Sequence, residues 1–204
     1  AAVGDGAWVG TARGLAWVND SSDLRNPRTR GIGARLLGNT SIYALQAIGD
    51  TLWIGTPAGL VALAGVSNGN TNASALVRPL GADFALRRAI RALAWSDTVL
   101  LAATDDAVLR LTPRRATEPA RVPELDVRQV GQVLRVGIDE RTMWLAGSDG
   151  VLVVPRNGGA LRVLRVPNEL PAPPTDIVAS KDWFWISTPA GILRLRRMAD
   201  GGLP

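Results

Sequence analysis

The chain has 204 residues, of which 47% are hydrophobic and 20% charged, a length and balance that suit a globular domain and exclude a disordered polymer. Cysteine and histidine are absent, which removes disulfides, thiolate nucleophiles, Ser-His-Asp and Cys-His triads and the usual zinc ligand sets. The net charge is +5, and Lys181 is the only basic residue that is not arginine, so the basic surface is guanidinium-rich and suited to carboxylate or phosphate partners.

The first segment, "GDGAWVGTARGLAWV", reads as two short β-rich runs joined by a tight turn. A polar loop carrying "LRNPRTR" leads to "IYALQAI" and then to "TLWIGTPAGLVAL", again two strands around a turn, with a weaker strand in "SALVRPL". "LRRAIR" precedes "IRALAWS", and "TVLLAATDDAVLRL" forms the third hairpin, followed by "TPRRATEPAR". "VLRVGI" and "TMWLAGSDGVLVV" make the fourth, with "ALRVLRV" after it. The proline-rich "VPNELPAPPTD" reads as an extended connector to "TDIVAS" and the last hairpin, "WFWISTPAGILRL". No apolar run reaches the roughly 18–20 residues of a membrane-spanning helix, so contact with a membrane is expected through the surface or a partner.

"TLWIGTPAGL" (Thr51–Leu60) and "WFWISTPAGI" (Trp183–Ile192) are near copies, and three more hairpins fall in phase with them. Anchors at Trp8, Trp53, Leu100, Trp144 and Trp185 recur at intervals of about 41–47 residues. Each period holds four strand candidates and no amphipathic helix, which is the arithmetic of a β-propeller blade. A single all-β domain over residues 1–204 is therefore expected, a propeller of about five four-stranded blades or a fragment of a larger one. Trp8, Trp53, Leu100, Trp144 and Trp185 are assigned to the core between blades, and small residues two places on (Gly10, Gly55, Ala102, Ala146, Ser187) should let neighbouring blades approach. In the third copy "ATDDAVL" lacks the turn glycine and reads as one residue longer, predicting a distorted hairpin. The last blade, with only "MADGGLP" after "GILRLRR", is expected to lack its fourth strand, an edge to be completed by further sequence or by a partner.

"LWIGTPAGL", "AWVGTARGL", "FWISTPAGI", "MWLAGSDGV" and, weakly, "VLLAATDDAVL" resemble the two-component-regulator propeller repeats, whose hallmark is a Trp-Ile-Gly-Thr strand followed closely by a Gly-Leu strand. The resemblance spans most of the chain and implies an extracytoplasmic, sensor-type propeller domain.

The candidate contact residues are arginines: Arg25, Arg28 and Arg30 in a long loop, Arg87, Arg88 and Arg91 before a first strand, Arg114 and Arg115, and Arg194, Arg196 and Arg197. Together they suggest a basic rim for acidic surfaces of other protein subunits or for anionic lipid headgroups. One lysine, no recognition helix and aromatics committed to the core argue against specific nucleic-acid binding. Asp105-Asp106 and Asp139-Glu140 fall in turns; with Asp149 they offer at most a weak oxygen-only Ca²⁺ site, and neither catalytic residue, metal nor cofactor is assigned. The reading that follows is a non-enzymatic docking subunit of an extracytoplasmic, periplasmic assembly peripheral to a bacterial membrane, with an energy-transducing or photosynthetic complex as the further expectation. The alternatives are a propeller that senses a small molecule or glycan and, last, a carboxylate-based carbohydrate-active enzyme.

Overall fold

The computed structural model describes residues 1–3, 6–18, 37, 39–66, 77–79, 87–113 and 119–204, with backbone alone at Val3 and Val77–Pro79. Five antiparallel sheets follow one another along the chain. The first holds β1 (Ala2–Val3), β2 (Gly6–Thr11) and β3 (Gly14–Val18); the second holds β4 (Ala44–Ile48), β5 (Thr51–Thr56), β6 (Gly59–Ala64) and β7 (Val77–Pro79). The third comprises β8 (Ala92–Ser96), β9 (Val99–Ala103), β10 (Val108–Leu111) and β11 (Ala120–Arg121). The fourth comprises β12 (Val133–Ile138), β13 (Thr142–Gly147), β14 (Gly150–Pro155) and β15 (Arg162–Arg165). The fifth has β16 (Asp176–Ala179), β17 (Trp183–Thr188) and β18 (Gly191–Arg196). Every sheet is a simple meander in sequence order, as expected of blades. Three sheets show the expected four strands, and the first and fifth show three among the described residues.

The chain divides into two compact units, Ala1–Arg91 with two sheets and Ala92–Pro204 with three. In the first, Trp8, Leu15 and Trp17 pack on Leu52, Ile54 and Leu63 of the next sheet. The Trp8 and Trp17 rings lie 5.2 Å apart and tilted, a favourable aromatic geometry. In the second, Leu101, Ala103 and Val108 meet Val136, Leu145 and Leu152, while Trp144, Ala146 and Val153 on the opposite face of the fourth sheet meet Ile177, Phe184 and Ile186. A sheet buried on both faces explains why β14 reads "GVLVVP" without alternation, since all six residues are buried.

Three of the second-to-third-strand turns share one device. Thr11, Thr56 and Thr188 each donate a side-chain hydrogen bond to the carbonyl of the glycine three residues on, at 2.9–3.0 Å. The same hydroxyls accept from the N–H of Arg13, Ala58 and Ala190. Gly14, Gly59 and Gly191 hold φ of 120°, 124° and 132°, a region that side chains bearing a Cβ rarely enter.

The third hairpin corrects the expected register. Thr104 donates to the Ala107 carbonyl at 3.0 Å, as the other threonines do, and the Thr104 N–H also bonds that carbonyl. Asp105-Asp106 is thus a two-residue turn of normal length, and counting back from Thr104 puts Leu101, not Leu100, in the tryptophan place. Leu100 is buried all the same. What the missing glycine changes is a single bond: Ala107 does not take the positive φ, and its N–H turns to the Thr104 hydroxyl at 3.0 Å. The hairpin is altered by the residue at the glycine place and carries no insertion.

Trp185 requires a second correction. Trp8, Trp53 and Trp144 are buried as assigned, but Trp185 is 41% exposed. Alternation along β17 turns Phe184 and Ile186 toward the fourth sheet and sends Trp185 to the other face. Trp8 and Trp144 have a following sheet to cover that face, and within its unit the fifth sheet has none.

Candidate functional site

The assigned arginines separate into three groups. Arg25, Arg28, Arg30, Arg114 and Arg115 lie outside the described residues. Arg87 and Arg88 are exposed in the segment before β8, and Arg91, half-buried, stacks its guanidinium 4.8 Å from the Tyr43 ring centroid. The third group gathers on the fifth sheet and the residue after it.

On β18 the cross-strand register sets Val178, Trp185 and Arg194 side by side, with Ile192 opposite Ser187 and Arg196 opposite Trp183. The Arg194 guanidinium lies over two indoles, 4.3 Å from the Trp183 centroid and 5.6 Å from that of Trp185. Such stacking holds a cation in a fixed position while leaving its N–H edge available. Ile192 is 73% and Val178 57% exposed, so aliphatic, aromatic and cationic groups share one open face.

Arg197 does not join that face and is corrected from a contact residue to an internal one. Its side chain is 2% exposed, because its N–H still bonds the Asp182 carbonyl on the neighbouring strand's side and the alternation that turns Leu193 and Leu195 inward carries Arg197 the same way, above Phe184, 4.8 Å from the ring centroid. The guanidinium donates to both Asp139 carboxylate oxygens (2.7 and 3.1 Å), to the Ser180 carbonyl (2.6 Å) and to the Thr142 hydroxyl (2.6 Å). The Thr142 hydroxyl donates in turn to the Gly201 carbonyl at 2.9 Å. Burial raises the Asp139 pKa, but the hydrogen bonds from Arg197 and from the N–H groups of Arg141 and Thr142, with the Arg197 charge, outweigh it and hold the carboxyl below its ordinary value. Arg197 therefore ties the fourth sheet, the fifth sheet and the segment that follows into one network. The sequence marks it by parity, two places beyond Leu195 on the inward side of "GILRLRR".

The acidic turn residues serve local structure. Asp106 shares the single Thr104 hydroxyl proton with the Ala107 carbonyl, at 2.7 and 3.0 Å, and approaches Arg121 at 3.9 Å; Asp149 accepts from Ser148 at 2.7 Å. Asp126 pairs with Arg128, whose side-chain hydrogen bonds and backbone N–H lower its pKa. Among the described residues no three acidic side chains gather as a metal site would require. Two clefts open in the second unit. One of about 470 Å³ is bounded by Asp106, Arg121, Pro123, Asp126 and Arg128; the other, about 420 Å³, lies among turns bearing Asp97, Glu140, Arg141, Lys181 and Arg197.

No protein-family model matches the sequence, and no curated protein matches it. Solved structures do match in shape. The extracellular domain of BT4673 from B. thetaiotaomicron, described as a hybrid two-component system, aligns with a TM-score of 0.63 at 14% identity over 97% of this chain and 25% of its own. PorZ, a bacterial surface component of the type-IX secretion system of Porphyromonas gingivalis, aligns at 0.64 and 14% over 100% and 25%. YCF48 bound to D1 peptide aligns at 0.58 and 14% over 93% and 61%. The fold is that of a β-propeller. At such identities the likeness carries the fold alone, and the chain spans about a quarter of the first of these structures. Among the described residues no helix is long and apolar enough to cross a membrane, which says nothing of strands.

Proposed function

We propose that this chain is a non-enzymatic propeller built from two-component-regulator-type repeats, one domain over residues 1–204, that serves as a rigid docking subunit of an extracytoplasmic protein assembly at a bacterial membrane. The observation that carries the reading is the Val178–Trp185–Arg194 face: a guanidinium fixed over two indoles, beside exposed aliphatic side chains, on a rigid sheet. Aromatic and arginine side chains on a firm support are the composition of protein-contact hot spots. The exposed Arg87, Arg88 and Arg196, with the loop arginines 25, 28, 30, 114 and 115, would extend the contact toward acidic partner surfaces or anionic headgroups. PorZ is a bacterial surface component and YCF48 is solved with a peptide, so similar folds are found in such settings. No side chain is assigned a catalytic role, and no cofactor is invoked.

The test is partner association. Arg194→Gln with Arg196→Gln should weaken it by about tenfold with melting unchanged, and added salt should weaken the parent in the same direction. Association indifferent to both changes would remove this face from the contact. A second reading, a ligand-sensing propeller, is favoured by the cleft of about 420 Å³, within the size range of small-ligand pockets. A bound small molecule identified by native mass spectrometry would favour it over docking.

A further inference from the structure

The second, third and fourth sheets each carry a short fourth strand antiparallel to the third: β7 on β6, β11 on β10 and β15 on β14. On the fifth sheet no described residue pairs with the outer edge of β18. The segment after β18 does not supply that strand. Gly201, Gly202 and Leu203 are buried, the Gly201 carbonyl accepts from Thr142, and Leu203 packs in the core that the fourth and fifth sheets share. Among the described residues β18 thus ends its sheet with a six-residue open edge, Gly191–Arg196.

The two sides of that edge differ in chemistry. Leu193 and Leu195 pack against the shared core, so an added strand would set apolar residues beside them, as Val163 of β15 packs in the core below the fourth sheet. Ile192, Arg194 and Arg196 point to the other, exposed face, with Arg194 anchored over Trp183 and Trp185. Residues alternate sides along a strand, and opposite charges side by side across a ladder attract. An antiparallel segment that satisfies both sides therefore alternates apolar with acidic residues.

We propose that the β18 edge is a strand-addition site for an extended protein segment of alternating acidic and apolar residues, which docks antiparallel and completes the fifth sheet. Main-chain hydrogen bonds would hold the segment, while Arg194 and Arg196 select acidic side chains and Leu193 and Leu195 select apolar ones. The inference rests on the docking reading and adds the partner's chemistry to it.

The experiment uses the full chain and a capped Thr-Glu-Val-Glu-Leu-Glu-Thr peptide, with hydrogen exchange along β18 and indole fluorescence as readouts. The expected result is fast exchange in β18 of the free chain, protection when peptide is added, and a fluorescence change from Trp183 and Trp185. Arg194→Glu with Arg196→Glu should weaken binding at least about tenfold. N-methylating alternate peptide amides should abolish binding to the parent protein in one of the two alternations, a control that does not depend on any variant folding. Binding unaffected by either N-methylation pattern would overturn strand addition in favour of side-chain contact alone. Lack of peptide binding would mean that the arginines merely guard the edge. β18 already protected in the free chain would mean that this protein's own sequence covers it. In these last cases the docking reading can still be judged separately, by whether a native partner co-purifies.

Discussion

Arg197 and Asp139 meet through two guanidinium–carboxylate hydrogen bonds, 2.7 and 3.1 Å, between the segment after the fifth sheet and the first turn of the fourth. Removing the carboxylate leaves an internal guanidinium short of its main counter-charge, so Asp139→Asn is expected to cost roughly 2 kcal/mol in denaturant unfolding. The pH dependence follows from the lowered Asp139 pKa. A carboxyl held below its unfolded value stabilises the fold fully above the ordinary aspartate value of 3.8, and that contribution disappears as pH falls through the lower folded value. The parent should lose stability in acid more steeply than Asp139→Asn. Parallel acid transitions would show that the pair contributes nothing.

Gly137 lies directly across the ladder from Trp144, and a Cβ at 137 would run into the indole. Gly137→Val should therefore destabilise the protein by displacing the ring from its edge-on contact with Phe184, 5.7 Å between centroids. Trp144→Ala is expected to cost about 3–5 kcal/mol, the range for emptying a large aromatic site. Melting of either variant at the parent temperature would contradict the packing described.

Thr104 offers a sharper comparison with Thr56. Both hydroxyls donate to the carbonyl across their turns, but Thr104 also receives the Ala107 N–H that the backbone does not pair. Thr56→Val should cost about 1 kcal/mol, since the Ala58 N–H it frees is on an exposed residue, and Thr104→Val about 2 kcal/mol, because the Ala107 N–H it frees is half-buried. Ala107→Gly should then reduce the cost of Thr104→Val by restoring the glycine conformation. Equal costs at the two threonines would refute this reading of the third turn.

Replacing Arg25, Arg28 and Arg30 together with Gln should leave folding nearly intact, since loop charges contribute little to stability. Partner association should weaken, and its salt dependence should flatten. Unchanged association at low salt would take this loop out of the contact surface.

The blades were legible because the hairpins repeat the same physical requirements: a large anchor in all five, a threonine that clasps the turn in all but the fourth, where Gly147 stands, and a glycine at positive φ in all but the third. The third copy misled by one place because leucine sits at both 100 and 101, so the tryptophan position had no distinguishing side chain. Thr104 holds the correct register, and reading outward from the turn threonine would have found it. The exposure of Trp185 was not legible because its local sequence matches that of buried Trp53. Trp144 has the fifth sheet packed on that face and Trp185 has no sheet of its unit there, a property of the packing and not of the strand. The Arg197 network was hidden for a related reason, since its carboxylate partner lies 58 residues away in a turn like the others.

Mass spectrometry of the protein recovered from its native source, with cross-linking to locate contacts, tests the docking role most directly. The expected result is a stoichiometric protein partner whose cross-links map to the fifth sheet around Trp185, Arg194 and Arg196. A monomer carrying a tightly held small molecule, with no cross-linked protein, would contradict it.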